Sequence, residues 1–336
     1  MKACDQVDRA PVQRRATRRR LIAIAAAMGL GVCWGSAAAQ TWPSKPVRVV
    51  VAFAPGGPVD IAARLVAQNL QEKLGHPFVV DNKPGAGGNI AAKLVRQEQA
   101  DGYTLLATSS ALAVNQTLYK DPGFDALRDF TPVALIAVSP NILVAHPSEP
   151  AADLRDYLAR NKGKSVSYGS AGVGSTPHLT ADHVLRVLGG LDAVHVPFQG
   201  AAPALQATIA NQVPIASVAL PPAVPQVKGG KVKALAVTSP KRIAVLPDVP
   251  TVAESGFPGF EDYTWVALFG PANLPADIVA KLNAQVGDAL RSNDMRDKLA
   301  AAGLEAQPGS AADMAAYLQR EVTKWGKIVK DTGVTQ

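Results

Sequence analysis

Apolar residues along the chain alternate between short continuous runs and helical spacing. The run at 47–53 is nearly all apolar, as in a strand that is buried on both faces of a parallel sheet. A helical pattern begins near Pro58, and further strands at 78–81 and 103–107 enclose a second helix. The order β-α-β-α-β predicts right-handed crossovers and an α/β fold class.

A second unit of the same kind begins near residue 142. Its predicted helix, 177–188, places four apolar residues on one face at positions i, i+3, i+4 and i+7: Ala181, Val184, Leu185 and Leu188. Strands are predicted at 194–197, 215–220 and 232–237. After residue 240 the pattern changes to a long loop, an aromatic strand at 263–269 and three helices.

That last segment has too few strands for a sheet of its own, so we expect it to return to the first unit. The predicted lobes are residues 40–139 together with 240–336, and residues 140–239. The chain would cross between them near Pro140 and Pro240. Two lobes joined by two crossings leave a cleft that a hinge can close, and such clefts bind small ligands.

The first 39 residues have the pattern of a secretory signal peptide. A cluster of arginines at 14–20 precedes an apolar run at 21–32 and a small-residue end at Ala37-Ala38-Ala39, where we expect cleavage. The arginine cluster leaves export by the general secretory or the twin-arginine route open. We therefore expect a soluble, exported mature protein.

Removing the leader changes the charge and the cysteine count. It carries seven Lys/Arg and two Asp/Glu, so the net charge of +7 falls to +2. No basic stripe remains to suggest nucleic-acid binding. Both cysteines, Cys4 and Cys33, lie in the leader, so the mature chain has no disulfide and no cysteine metal site.

Two glycine-rich turns, at 54–57 and 171–175, each connect a predicted strand to a helix. Helix N-termini expose unpaired N–H groups, and glycine lets a ligand approach the backbone. The second turn lacks the lysine of a phosphate-binding loop, and residues 85–90 fail the dinucleotide-binding pattern at Ile90. No cofactor is expected, and a small carboxylate is the anion that these turns would suit.

A purely architectural interpretation of the turns stays open. Glycines also make tight connections, and Ser175 or Thr176 could simply cap the helix that Pro177 begins. Asp60 lies in the first turn of its helix, where a carboxylate favours the dipole. Its alternative role is recognition of an amine or hydroxyl on the ligand.

Catalytic and metal-binding patterns find little support. Ser170 and Ser175 both lack the glycine spacing of a nucleophile elbow. His178 and His183 are five residues apart, which does not align two rings on one helix face for zinc. Trp265 and Phe269 are interpreted as core residues. A hydrolase using Ser170 or Ser175 remains an alternative that would need a histidine and an acid nearby.

The sequence resembles the extracytoplasmic solute receptors of tripartite tricarboxylate transporters, the Bug-type periplasmic binding proteins. The resemblance covers the mature chain from Trp42 onward and is carried by the stretches WPSKP at 42–46, FAPGGPVD at 53–60, DNKPGAGG at 81–88, DGYTLL at 101–106, YGSAGVGS at 168–175, HVPFQG at 195–200, LAVT at 235–238 and LPDVPT at 246–251.

The resemblance implies a two-lobed periplasmic binding protein fold of type II, with a hinge and a ligand cleft between the lobes. It implies a non-enzymatic, monomeric receptor that captures a small organic carboxylate and presents it to membrane transporter subunits. In this family backbone groups and ordered waters hold the carboxylate between loops of both lobes. A sensor that hands its liganded state to a signalling kinase is the alternative within binding proteins.

The resemblance also implies which residues line the cleft. One wall is expected to contain Pro55, Gly56, Gly57 and Asp60, and the other Ser170, Gly172, Gly174 and Ser175. Ser109 and Ser110 are added because they follow the third strand. Gln199 stands where the family commonly has lysine, which indicates a ligand with fewer anionic groups.

Overall fold

The structure is a computed structural model that describes residues 42–332. The predicted leader therefore lies outside the described residues. The chain divides into two units, Met1–Ser44 and Lys45–Gln336, and the description that follows concerns the second. No helix among the residues described is long and apolar enough to cross a membrane.

Ten strands within residues 42–332 form one mixed sheet in the order β2-β1-β3-β9-β4-β7-β5-β6, with β8 and β10 paired to β4. β1 is parallel to β2 and β3, and β5 is parallel to β6 and β7, whereas β9 pairs antiparallel with β3 and β4. The strands are β1 (Val47–Val51), β2 (Phe78–Asn82), β3 (Thr104–Ser109), β4 (Phe130–Ala145), β5 (Ser165–Ser170), β6 (Asp192–Pro197), β7 (Ile215–Ala219), β8 (Lys233–Val237), β9 (Tyr263–Pro271) and β10 (Glu305–Ala306).

Helices connect these strands, and the predicted α/β fold class is confirmed. A short 3₁₀ turn, Ala86–Gly88, precedes the second helix, and the fifth helix continues as a π-helix over His183–Leu188. The α-helices are α1 (Pro58–Leu74), α2 (Asn89–Arg96), α3 (Ala111–Leu118), α4 (Leu154–Asn161), α5 (Thr176–Asp182), α6 (Ala201–Ile209), α7 (Leu220–Lys228), α8 (Ala276–Arg291), α9 (Asn293–Ala301) and α10 (Ala311–Thr332).

β4 begins well before residue 142, where the sequence predicts the start of the second unit, and it runs through both halves of the sheet. Its residues up to Pro140 pair with β9, and those from Asn141 onward pair with β7 and β8. We call β1, β2, β3, β9, β10 and the first part of β4 the first sheet half. The remaining strands and the end of β4 form the second sheet half. The lobe boundaries given above stay a prediction.

Both faces of the sheet are covered by apolar side chains. In the first sheet half Trp265 and Phe269 are fully buried, which confirms their interpretation as core residues. In the second sheet half Tyr157 and Tyr168 pack on one face, and Leu205 and Val218 on the other. The carboxyl ends of β1, β3, β5 and β7 meet near the junction of the halves, where ligands of open α/β sheets bind.

Candidate functional site

The ends of these strands enclose a small cavity between the two sheet halves. Its volume is about 20 Å³, which is space for about one water molecule. The first sheet half and its loops supply Phe53, Gly57, Pro58, Val59, Ser109 and Thr264. The second supplies Ala171, Ser175, Pro177, Ala201 and Ala219.

A larger cavity of about 230 Å³ adjoins the first and shares Phe53 and Ala171 with it. It lies between the loop 85–88 and the second glycine turn, and Gln199 also lines it. The backbone joins the two sides here, because the Ala54 N–H donates to the Gln199 carbonyl at 3.0 Å. The loops of the two sheet halves are thus in direct contact around both cavities.

The first glycine turn leads into α1, whose N-cap residue is Gly57 and whose first turn contains Pro58. No side chain caps this helix. The N–H groups of a first helical turn have no acceptor within the helix. Gly57 and Val59 line the cavity, so the positive end of the α1 dipole faces it.

Asp60 is 3 % exposed and holds this turn in shape. Its carboxylate accepts hydrogen bonds from the Gly56 N–H at 3.0 Å, from Arg64 and from Asn82. Burial favours the neutral acid, but these three donors outweigh it and lower the pKa of Asp60. Both carboxylate oxygens of Asp60 therefore have partners within the protein. Two other residues predicted for this wall, Pro55 and Gly56, are exposed on the same loop.

Ser109 and Ser110 follow β3 but differ in their surroundings. Ser109 lines the cavity, and its hydroxyl oxygen accepts from the Ala111 N–H at 3.4 Å. Ser110 is fully buried and its hydroxyl lies 3.2 Å from that of Thr176 at the start of α5. Ser109 can thus donate its proton to a ligand, whereas Ser110 links the two sheet halves.

The second glycine turn uses most of its own donors. The N–H groups of Gly172, Gly174 and Ser175 donate to the Ser170 hydroxyl, the His178 Nδ1 atom and the Gly172 carbonyl, at 3.2, 3.3 and 3.1 Å. The Ser175 hydroxyl caps α5 and also donates to the Gly172 carbonyl. Among the predicted residues of this wall, Ser175 lines the small cavity and Gly172 the larger one.

A pair of histidines beneath this turn, His178 buried and His195 partly buried, was not predicted from the sequence. His195 Nε2 lies 2.6 Å from the Ser170 hydroxyl, and the rings of His195 and His178 stack with centroids 3.9 Å apart. Burial lowers the pKa of His178 to about 4 and that of His195 to about 3, so both rings are neutral at pH 7. Ser170 is fully buried, and within residues 42–332 no carboxylate hydrogen-bonds to either ring.

A polar network lies where the chain passes between the sheet halves. The Asn141 side chain donates to Asp262 and Thr180, and it accepts from Thr264 at 2.8 Å. Thr238 donates to the Asp262 carbonyl at 2.6 Å. Burial raises the pKa of Asp262 to about 6 against the opposing effect of these hydrogen bonds. The part of the chain described contains no group of three or more His, Cys, Asp or Glu residues that could hold a metal ion.

Comparison with known proteins gives a family and a fold. The profile of the "Tripartite tricarboxylate transporter family receptor" matches residues 62–334. The structure of the periplasmic binding protein BugD is similar with a TM-score of 0.84 and 32 % identity, covering 88 % of this chain and 99 % of BugD.

Two further similar structures are described with ligands. Rpa4515 of R. palustris with adipate has a TM-score of 0.84 and 36 % identity, with coverage of 88 % of this chain and 99 % of that one. MatC of Rhodopseudomonas palustris with bound malate has a TM-score of 0.81 and 36 % identity, with coverage of 86 % and 100 %. The resemblance and the periplasmic binding protein fold expected from the sequence are confirmed.

Proposed function

Because the chain belongs to the receptor family of tripartite tricarboxylate transporters, a family of non-enzymatic periplasmic solute-binding proteins, we propose that it captures a small organic carboxylate and delivers it to such a transporter. One observation carries the proposal. The uncapped start of α1 and Ser109 line the same small cavity. Both offer hydrogen-bond donors to an anion there.

The relatives support the class of ligand. Rpa4515 is described with adipate and MatC with malate, and both ligands are carboxylates. Each hydrogen bond to a charged group contributes about 1.5–3 kcal/mol. Micromolar binding requires about 8 kcal/mol. Three such bonds reach that value only if the cost of ordering the ligand and the loops is ignored. Further contacts, from both walls of the cleft, are therefore needed.

Binding involves separation of the two sheet halves. The cavity of about 20 Å³ has space for about one water molecule and is too small for an organic carboxylate. Loops of both sheet halves meet around it. We place the hinge at the two crossings near Pro140 and Pro240, with the lobes divided as the sequence predicts. Closure on the ligand then buries its carboxylate against the α1 start.

Thermal unfolding of mature protein, residues 40–336, against carboxylates and their matched amides tests the proposal. The protein is first unfolded and refolded to remove any carried ligand. A ligand at 100 times its dissociation constant adds about 2.7 kcal/mol to the free energy of unfolding. A midpoint increase with an acid but not with its amide supports carboxylate binding. Equal effects of acid and amide, or none with any acid, contradict it.

The transport role and the export have separate tests. Deletion of the gene should abolish uptake of the identified acid, and normal uptake would point instead to a sensor role. We also propose that the leader, 1–39, is removed on export to the periplasm. Mass spectrometry of the exported protein should give an N-terminus at Gln40, and a mature chain that retains the arginine cluster would contradict cleavage.

A further inference from the structure

Another cavity, of about 160 Å³, lies between α5 with its π-helical continuation, the segment before β9 and the C-terminal helix α10. We call it the hinge cavity, because the polar network at the crossing connects it to the cleft. The Asn141 side chain bonds to Thr264, which lines the small cavity, and to Asp262, which lines the hinge cavity. We infer that the hinge cavity is a second ligand site, for a small organic ammonium ion with an apolar body.

The size and the apolar residues of the hinge cavity suit a ring or a branched chain. Four apolar residues line it, namely Leu179, Phe260, Trp325 and Ile328. An apolar cavity of about 150 Å³ in another protein binds benzene, so the hinge cavity has space for one six-membered ring. Two of the four residues are aromatic, and aromatic side chains pack well against a ligand ring. The ligand body is therefore expected against these side chains.

Three carboxylates line the same cavity, those of Asp182, Glu261 and Asp262. Asp182 is buried and accepts from Arg186 at 2.9 Å through one of its oxygens. Its other oxygen has no hydrogen-bond donor among residues 42–332. Glu261 and Asp262 have no salt-bridge partner within the same range. The lining thus offers a ligand both hydrogen-bond acceptors and negative charge.

Asp262 is a buried carboxylate without a cation beside it. It accepts hydrogen bonds from the Thr180 hydroxyl, the Asn141 side chain and the Tyr263 N–H, which are all neutral donors. Its pKa of about 6 leaves it mostly ionised at pH 7. Burial of an ionised carboxylate without a counter-ion is costly. A cation that enters the adjoining cavity would lower this cost, which favours binding of a cation there.

The surroundings disfavour an anion and a metal ion. Lys324 and His183 are the basic residues of the lining, but Lys324 is already 3.7 Å from Glu321, and the ring of His183 packs beside that of Phe260. Three carboxylates would repel an anion. A metal ion needs several ligands at one point, and the described residues contain no group of three or more His, Cys, Asp or Glu that could hold one. An ammonium ion with an apolar body uses both the acids and the apolar residues.

Calorimetric titration of the refolded mature protein with benzylamine and with benzyl alcohol tests the inference. The two probes have nearly the same shape, and only the amine carries a charge at pH 7. We expect benzylamine to bind at least tenfold more tightly, because hydrogen bonds between charged groups are about twice as strong as neutral ones. Equal binding of the alcohol, or no binding of benzylamine at millimolar concentration, overturns the inference. Neither result affects the proposed carboxylate receptor, whose ligand binds in the cleft.

Two substitutions with expected effects of opposite sign locate the amine. Arg186→Gln removes the cation that offsets the charge of Asp182 and should strengthen benzylamine binding about threefold, whereas Glu261→Gln removes a carboxylate from the lining and should weaken it about threefold. Both positions are exposed, so we expect the fold to be retained, which circular dichroism checks.

Arg160→Gln is the matched control. Arg160 is also an exposed helical arginine that pairs with an aspartate four residues earlier, Asp156, at 2.8 Å, but it lies outside the lining of the hinge cavity. Its replacement should leave the affinity for benzylamine unchanged. Equal affinities of the wild type and all three variants would place the amine elsewhere and overturn the inference.

Discussion

Gly87 lies at the closest approach between the loop 85–88 and the second glycine turn, and its replacement by alanine should impair ligand binding. A Cβ atom at Gly87 would lie 2.1 Å from the Val173 carbonyl oxygen and 3.3 Å from the Asn115 side-chain nitrogen. Asn115 also donates to the Gly87 carbonyl at 3.1 Å. The overlap at Val173 is with backbone, so rotation of a side chain cannot relieve it.

The expected magnitude has two parts. Gly87 has a φ of 61°, a left-handed conformation that costs alanine about 1–2 kcal/mol. In addition, the loop and the turn must separate by about 1 Å before the new methyl group and the Val173 oxygen reach ordinary contact. This overlap with the Val173 oxygen raises the free energy only of the state in which the loops of the two sheet halves are in contact. We expect at least a tenfold loss of ligand affinity, about 1.4 kcal/mol, with a fold that remains intact.

Calorimetry with the tightest-binding acid of the panel, together with urea unfolding, measures both parts. Gly75→Ala is the matched control, because Gly75 has a φ of 73° at the end of α1 and no atom within 4 Å of the added methyl group. It should lower the free energy of unfolding similarly and leave the affinity unchanged. Wild-type affinity in Gly87→Ala would refute the reasoning that this contact forms in the bound state.

Three further changes test individual contacts. Asp60→Asn should lower the free energy of unfolding by about 1–3 kcal/mol without changing the preference among acids, measured by urea unfolding and calorimetry; a changed preference would show direct recognition. Glu321→Leu removes the acceptor of the buried indole N–H groups of Trp265 and Trp325 and should lower the free energy of unfolding by about 2–4 kcal/mol. Glu321→Gln, which keeps an oxygen acceptor, should lower it less. Equal stability of the wild type and both variants would exclude this role. Burial lowers the pKa of His195 to about 3, so below pH 6.5 the unfolded state binds more protons than the folded state. The free energy of unfolding should therefore fall as the pH drops from about 6.5 toward 3. Urea titrations should show a smaller decrease for His195→Gln, and an unaltered slope would contradict this role.

Local sequence patterns predicted most strands of the sheet. Proline residues interrupted the patterns of β4 and α7, which were not predicted correctly. The apolar run of β1, interrupted only by Arg48, and the Pro58 helix start are purely local signals. β4 was underestimated because Pro132 and Pro140 interrupt its pattern, and proline inside a strand argues against the assignment. The structure accommodates Pro132 beside a register shift against β9. α7 was missed for the same reason, with Pro221 in its first turn and Pro225 inside it.

The functional site was less predictable because it depends on pairing and on backbone conformation. The contact of His195 with Ser170 follows from the register of β5 against β6, in which Tyr168 pairs with His195. No spacing along the chain encodes that register. Likewise, the sequence shows glycines and serines in the second turn but not that the N–H groups of Gly172, Gly174 and Ser175 already have acceptors within the protein. Those acceptors determine which donors remain for a ligand.

The N-cap residues explain why two similar turns differ in what they offer. Gly57 has no side chain to cap α1, whereas Ser175 caps α5 by accepting from the His178 N–H. Gly57→Ser should therefore provide α1 with its own cap, since Gly57 has an ordinary φ of −85° and its added Cβ would approach no neighbouring atom closer than 3.7 Å. The free energy of unfolding should rise by a few tenths of a kcal/mol, while the serine hydroxyl competes with the ligand carboxylate for the same N–H groups and lowers affinity about tenfold in calorimetry. Unchanged affinity in a stabilised variant would place the carboxylate elsewhere than at the start of α1.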